Sequence, residues 1–97
     1  MATKALKQTA AILLSLWIGL VFAEDNDKDV GVCASYLILT KRDRGADDAW
    51  KLAVNPRVAA QHGKIFINKW KQLGPDLSGG DACRRLGIMP SSYQMAK

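Results

Sequence analysis

The chain has 97 residues, of which 48% are apolar, and a formal net charge of +5 at pH 7. This length suits one small domain, and the lack of a basic cluster longer than Arg84-Arg85 argues against nucleic acid as a partner. One histidine and two cysteines, without a Cys-x-x-Cys motif, do not make a recognised zinc or thioredoxin-like site. We therefore predict no metal and no cofactor.

Residues 1–23 have the layout of a cleavable secretory signal. Lys4 and Lys7 precede an apolar run over 10–23, and Val21-Phe22-Ala23 fits the exit sequence of a cut before Glu24. The run has 14 residues, whereas a helix that spans a bilayer needs about 20. The protein is therefore predicted to be secreted or periplasmic after cleavage behind Ala23, and an uncleaved N-terminal membrane anchor is the alternative.

The predicted mature domain, residues 24–97, has 74 residues and two cysteines, Cys33 and Cys83. A chain this short usually needs a disulfide, a metal or a partner to be stable, and a cysteine pair in an oxidising compartment predicts a disulfide. The alternatives are two free thiols or an intermolecular pair. In the wide separation of its cysteines the chain resembles periplasmic acid-stress chaperones, and the resemblance extends to no other residues.

Helical spacing predominates in this domain, and Gly and Pro divide it into four predicted helices. The first is expected over 29–44, with Asn26 or Asp27 as its N-cap and Gly45 as the residue that ends it. It carries apolar stripes on two sides, so we expect it to lie at the centre of the domain with Cys33 facing inward. The stripes are Val30, Cys33, Ala34 and Leu37 on one side and Val32, Tyr36 and Leu39 on the other.

The second predicted helix is short, and Asp47 or Asp48 is expected to cap it. The chain is expected to break at Asn55, which can cap a new helix that starts at Pro56. The predicted buried side of this second helix consists of Trp50, Ala53 and Val54.

The third predicted helix, residues 56–73, has the strongest helical periodicity in the chain. Residues at spacings of four and three form its apolar face, Ile67 lies alongside, and Gly74-Pro75 ends the helix. Gly63 on this face is expected to allow close approach of the first helix. The face consists of Ala59, Gly63, Phe66, Trp70 and Leu73.

The fourth helix is predicted over 79–86, with an imperfect capping box from Ser78 to Asp81 and with Gly87 as the residue that closes it. Residues 91–97 lack apolar density and are predicted to fray. The sequence therefore predicts an all-α fold, a small bundle of three to four helices that is closed by one disulfide and preceded by a signal peptide.

Few groups in the chain could support catalysis. His62 is the only histidine, and a Cys–His nucleophilic pair would need a free thiol, which an oxidising compartment disfavours. We therefore expect a non-enzymatic protein that binds another protein, as an inhibitor, chaperone or accessory subunit. An enzyme, which would need a pocket that holds His62 with an acid, ranks last.

The third helix supplies the predicted binding face, which consists of Lys64, Phe66, Ile67, Trp70 and Lys71. The same basic amphipathic helix could lie on an anionic membrane with its apolar side chains toward lipid, so a membrane-surface protein is the alternative function. Trp50 and Trp70 could line a ligand groove, although core positions are the commoner use of such side chains.

Overall fold

The computed structural model describes residues 24–95, which form four α-helices and one short 3-10 turn. Helix α1 covers residues 24–39, α2 Asp43–Trp50, α3 Pro56–Leu73 and α4 Ser78–Arg85, and the 3-10 turn is Pro90–Ser92. No strand occurs among these residues, so the all-α prediction is confirmed. The predicted signal peptide, 1–23, and residues 96–97 lie outside the described part of the chain.

Helix α1 lies at the centre of the domain, as its apolar stripes predict. Its inner residues Val30, Cys33 and Leu37 are fully buried. Side chains from α2, from α4 and from the segment after α4 pack against this stripe in one core. The buried members of that core are Cys33, Ala34, Leu37, Ala46, Ala49, Ala82, Cys83 and Ile88.

Helices α1 and α3 cross at glycines. A Cβ atom on Gly31 would lie 2.0 Å from the backbone oxygen of Ala59, and one on Gly63 would lie 2.7 Å from the hydroxyl oxygen of Ser35. No side chain fits at such distances, so the two backbones approach each other only because both positions are glycine. The prediction that Gly63 allows close approach of the first helix is confirmed.

A disulfide joins α1 to α4, as predicted. Cys33 and Cys83 are both fully buried, and their Cα atoms are 4.7 Å apart. On the same two helices, Arg85 donates from Nε and Nη2 to the two carboxylate oxygens of Asp29, at 3.0 and 2.9 Å. The hydrogen bond to Asp29 raises the pKa of Arg85. Because a bidentate guanidinium–carboxylate pair is directional, the disulfide and this pair together orient α4 on α1.

The end of α1 differs from the prediction. Lys41 has a φ of 63°, and the N–H groups of Lys41 and Arg42 donate back to carbonyls of the last turn of α1, which closes the helix without glycine. Gly45, the predicted end of this helix, is buried in the first turn of α2, where a side chain would meet Leu37 and Tyr93. The predicted boundaries, 29–44, were therefore wrong, because this glycine provides space for packing rather than a left-handed backbone.

Helix α2 also begins before the position that the sequence suggests. Asp47 and Asp48, its predicted caps, lie within the helix and are exposed. Trp50 and Val54, predicted on the buried side, are 42% and 68% exposed, and Ala53 is half-buried. These predictions were wrong because the buried side of α2 is formed by small residues one turn earlier, namely Gly45, Ala46 and Ala49.

The predicted start of α3 is confirmed. The Asn55 side chain accepts hydrogen bonds from the N–H groups of Arg57 and Val58, and Pro56 is the first helical residue. At the other end, Gly74 has a φ of 91° and terminates the helix, also as predicted.

The start of α4 differs from the prediction, whereas its end agrees. Ser78 is the first helical residue rather than the cap, and its N–H donates to the Asp76 carboxylate at 2.9 Å. This hydrogen bond lowers the pKa of Asp76. The predicted capping box from Ser78 to Asp81 was therefore wrong, and Gly87, with a φ of 80°, closes the helix as expected.

The apolar face of α3 is buried only along part of its length. Ala59, Gly63 and Phe66 are buried, Trp70 is half-buried, and Leu73 is 83% exposed. Leu73 was predicted on the buried face, and this prediction was wrong, because it is the last residue of α3 and lies at the surface.

The segment after α4 returns to the core. The 3-10 turn Pro90–Ser92 leads to Tyr93, which is half-buried and packs against the core cluster. The predicted fraying over 91–97 therefore does not apply to Tyr93, because its ring occupies the space beside Gly45.

Candidate functional site

The predicted binding face on α3 is divided between core and surface. Phe66 is 6% exposed, Ile67 and Trp70 are half-buried, and Lys64 and Lys71 are exposed. Lys64, Ile67 and Lys71 follow one another at spacings of three and four, so they lie along one flank of the helix. Phe66 belongs to the interior, and the accessible part of the face is this flank together with the outer side of Trp70.

Trp70 lies at the boundary between the core and the surface. Its ring centroid is 6.2 Å from that of Tyr36 on α1, with the planes at 70°, and 6.0 Å from that of Phe66, with the planes at 49°. Inclined aromatic pairs at these distances are favourable. The half-exposed indole is therefore held in a defined orientation by two neighbouring rings.

Two exposed leucines follow Trp70 in the chain. Leu73 and Leu77 are 83% and 77% exposed and lie on either side of the turn that joins α3 to α4. Leu77 comes two residues before Gly79, where an added Cβ would lie 2.4 Å from the Cβ of Tyr36. Trp70, Leu73 and Leu77 thus project from the end of the domain that contains Tyr36, and we refer to these three residues as the apolar edge.

Basic residues flank Trp70 on α3. Helix α3 has four basic residues and no acidic residue among its 18 residues. Lys69 and Lys71 are both exposed and adjoin Trp70 in the sequence. The turn that follows contains one acid, Asp76, whose pKa is lowered first by its hydrogen bonds with Ser78 and then by Lys69. A partner that covers this edge would therefore meet apolar side chains inside a mainly cationic border.

A concave region lies between α2 and the C-terminal segment. It is an open cleft of about 980 Å³. Tyr93 donates from its hydroxyl to Oδ2 of Asp48 at 2.8 Å, and this hydrogen bond raises the pKa of Tyr93. The lining residues are Lys41, Asp43, Arg44, Asp47, Asp48, Lys51, Ser92, Tyr93, Gln94 and Met95.

The chemistry of this cleft does not point to a catalytic site. Its lining has three basic and three acidic side chains, and one pair of them, Lys51 and Asp48, is 3.8 Å apart at the surface. No cysteine or histidine lines it, and none of the described hydrogen bonds joins Ser92 to a base. Sequence patterns do not predict this cleft, because the pairing of Asp48 with Tyr93 links residues 45 positions apart.

The remaining candidate groups for chemistry lie apart from one another. Both cysteines are in the disulfide, so neither provides a thiol for a Cys–His pair. His62 is half-buried on α3. Within 24–95, no group of three or more His, Cys, Asp or Glu residues could hold a metal ion. No helix in this part of the chain is both long enough and apolar enough to cross a membrane.

Asp27 has a role that the sequence analysis did not identify. It is 1% exposed, and its carboxylate accepts hydrogen bonds from the N–H groups of Val54 at 2.7 Å and Asn55 at 2.9 Å. The neighbouring Asn26 donates from its side chain to the Leu52 carbonyl at 3.0 Å. Asn26 and Asp27 were predicted as possible caps of α1, and this prediction was wrong. Both residues lie within that helix and bind the loop before α3.

This loop carries a second group of exposed apolar side chains. Trp50, Leu52 and Val54 are 42%, 44% and 68% exposed, and we refer to them as the apolar loop. The sequence contains one signal for the arrangement: Asp27 precedes Val30 by three positions and therefore lies in line with the buried stripe of α1. A carboxylate that is buried at such a position needs hydrogen-bond donors, and the N–H groups of the loop provide them.

Comparison with known proteins gives no protein family, no curated protein and no solved structure that matches this chain. The inference of function therefore depends on the surfaces described above.

Proposed function

We propose that this protein is a non-enzymatic protein-binding module that uses the apolar edge as its contact surface. The observation that carries the proposal is the exposure of Leu73 and Leu77, 83% and 77%, on the two sides of the turn that follows the ordered indole of Trp70. Large apolar side chains that are exposed together on a folded surface usually mark a site of interaction. Tryptophan is also one of the residues enriched at the energetic centre of interfaces between proteins.

The expected partner surface has an apolar centre and an acidic border. The four basic residues of α3 are not balanced by any acid within that helix. Complementary charge at the border of an interface increases the rate of association and selects among partners. Whether the module acts as an inhibitor, a chaperone or an accessory subunit depends on that partner.

The compartment forms part of the proposal. A buried disulfide is consistent with an oxidising environment outside the cytoplasm, and residues 1–23 have the composition of an export signal. We infer cleavage after Ala23 and release of the domain. Mass spectrometry of the exported protein is expected to find Glu24 as the first residue, and an intact Met1 in that pool would favour the anchored alternative.

The alternative is a membrane-surface protein that lays α3 on lipid. This arrangement requires Phe66 to face the acyl chains, whereas Phe66 is 6% exposed and packs beside Trp70 in the folded domain. Insertion along the length of the helix would therefore require α3 to separate from α1. For this reason we favour a protein partner.

The proposal is tested by changing the apolar edge without changing the core. Tagged parent protein and the double variant Leu73→Ser/Leu77→Ser are expressed in the native source, crosslinked and recovered, and the bound proteins are measured by mass spectrometry. Ile65→Ser is the matched control, because Ile65 is 53% exposed on the same helix but lies eight residues, about 12 Å along the axis, before Leu73.

We expect a defined protein to be recovered with the parent and with Ile65→Ser and to be lost with the double variant. Equal recovery with all three would refute the assignment of the edge. Sedimentation with anionic vesicles is measured in parallel. If the parent binds these vesicles, if salt weakens this binding and if the double variant has lost it, the edge is assigned to membranes instead. Salt is informative because it screens contacts with anionic lipid.

A further inference from the structure

The apolar loop has a rigid backbone. The N–H groups of the loop all donate within the domain: those of residues 51–53 bind carbonyls of α2, and those of Val54 and Asn55 bind the buried carboxylate of Asp27. Because these bonds fix the backbone, Trp50, Leu52 and Val54 are held at the surface in a defined arrangement. They are 42%, 44% and 68% exposed despite that order.

The position of the loop relative to the N-terminal segment is the second observation. The loop is bonded to Asn26 and Asp27, and the described part of α1 begins at residue 24. In the sequence the apolar run ends at Ala23, three residues before Asn26, which is bonded to the loop. The apolar edge, by contrast, lies at the Tyr36 end of α1, about 14 Å further along that helix at 1.5 Å per residue.

We propose that the apolar loop is a bilayer-contact surface in the form of the protein that still carries residues 1–23. When the apolar run over 10–23 is held by a bilayer, its covalent connection to residue 24 keeps the domain at the membrane surface. Tryptophan favours the interface between headgroups and acyl chains, and Trp50, Leu52 and Val54 are the side chains placed there. Removal of residues 1–23 takes away the attachment that holds the loop at the membrane.

The test uses the full chain, residues 1–97, reconstituted in phosphatidylcholine vesicles with plain or brominated acyl chains. Bromine quenches tryptophan emission only where the indole reaches the acyl chains. The emission that belongs to Trp50 is the difference between the parent and Trp50→Phe, and that of Trp70 is the difference between the parent and Trp70→Phe. Trp70 provides the internal control, because it packs against Tyr36 and Phe66 at the opposite end of α1.

We expect brominated lipid to quench the Trp50 emission and to leave the Trp70 emission unchanged. Val54→Glu should reduce the quenching of Trp50, because a charge at this exposed position opposes contact with lipid, whereas Ile65→Glu should not. The proposal would be overturned if Trp50 is quenched no more than Trp70. This result is also the one expected if residues 1–23 cover the loop and shield it from lipid. This outcome does not bear on the apolar edge, so it can be told apart from failure of the proposed protein-binding function.

Discussion

Asp27→Asn tests whether the loop before α3 is held by the buried carboxylate. Asp27 is 1% exposed and accepts two backbone hydrogen bonds, from Val54 at 2.7 Å and Asn55 at 2.9 Å. Hydrogen bonds to a charged group contribute about 1.5–3 kcal/mol each. Asparagine keeps one acceptor oxygen but places an NH2 group against the other donor, so the variant should lose about 2–3 kcal/mol of unfolding free energy.

The assay is urea unfolding followed by far-ultraviolet circular dichroism, with the slope of the transition checked for constancy. Asp27→Ala removes both acceptors and should cost about 3–5 kcal/mol, because two buried N–H groups are left without a partner. Asp25→Asn is the matched control: Asp25 is exposed on the same turn, and its replacement should change stability by less than about 0.5 kcal/mol. Equal urea midpoints for the parent and Asp27→Asn would refute the reasoning.

Three further perturbations address other parts of the fold. Gly31→Ala should lower the free energy of unfolding by about 3 kcal/mol or more in the same assay, because the added methyl group forces α1 and α3 apart; an unchanged midpoint would contradict the crossing geometry. Cys33→Ser should cost about 2–5 kcal/mol, and Cys33→Ser/Cys83→Ser should cost about the same, since either change removes the whole disulfide; two free thiols in the natively purified protein would contradict this account. Tyr93 should ionise above its ordinary pKa in an absorbance titration, and Asp48→Asn should return it toward that value. Because the raised pKa favours the neutral phenol in the fold, this contribution to stability is complete below about pH 10, the ordinary tyrosine pKa, and is lost as pH rises through the folded pKa.

Local chemistry in the sequence was sufficient to predict α3 and the disulfide. Asn55-Pro56 carries both an N-cap and a suitable first residue, so the start of α3 can be recognised without knowledge of the fold. The two cysteines had one intramolecular pairing available, and it joins the first helix to the last.

The errors arose where a distant residue decides the role of a local one. Asp27 fits a cap by its position near the start of a helix, but its partners are Val54 and Asn55, which lie 27 and 28 positions away. Gly45 fits a helix end by composition, yet it is required for contact with Tyr93. Patterns over a short window contain no information about such partners, because those contacts form only when the helices pack.

The exposed residues of the candidate surfaces were misassigned for a related reason. Periodicity correctly placed Leu73 in line with Phe66 and Trp70, but it cannot show where the neighbouring helix stops. Leu73 is the last residue of α3 and is 83% exposed although it keeps the spacing of the buried face. The same limit applies to Trp50, since the small residues of α2 complete the buried side before it.

Because α1 lies at the centre of the domain, its contacts form only after later parts of the chain have been synthesised. Helix α1 is the first described helix to be synthesised, and it contacts α2, α3 and α4. Its cysteine partner lies 50 residues later, so the last contact of the earliest helix must wait for almost the whole domain to emerge. Until α2, α3 and α4 have been synthesised the inner stripe of α1 remains uncovered, and in this interval the exposed apolar surface is open to aggregation and to chaperones.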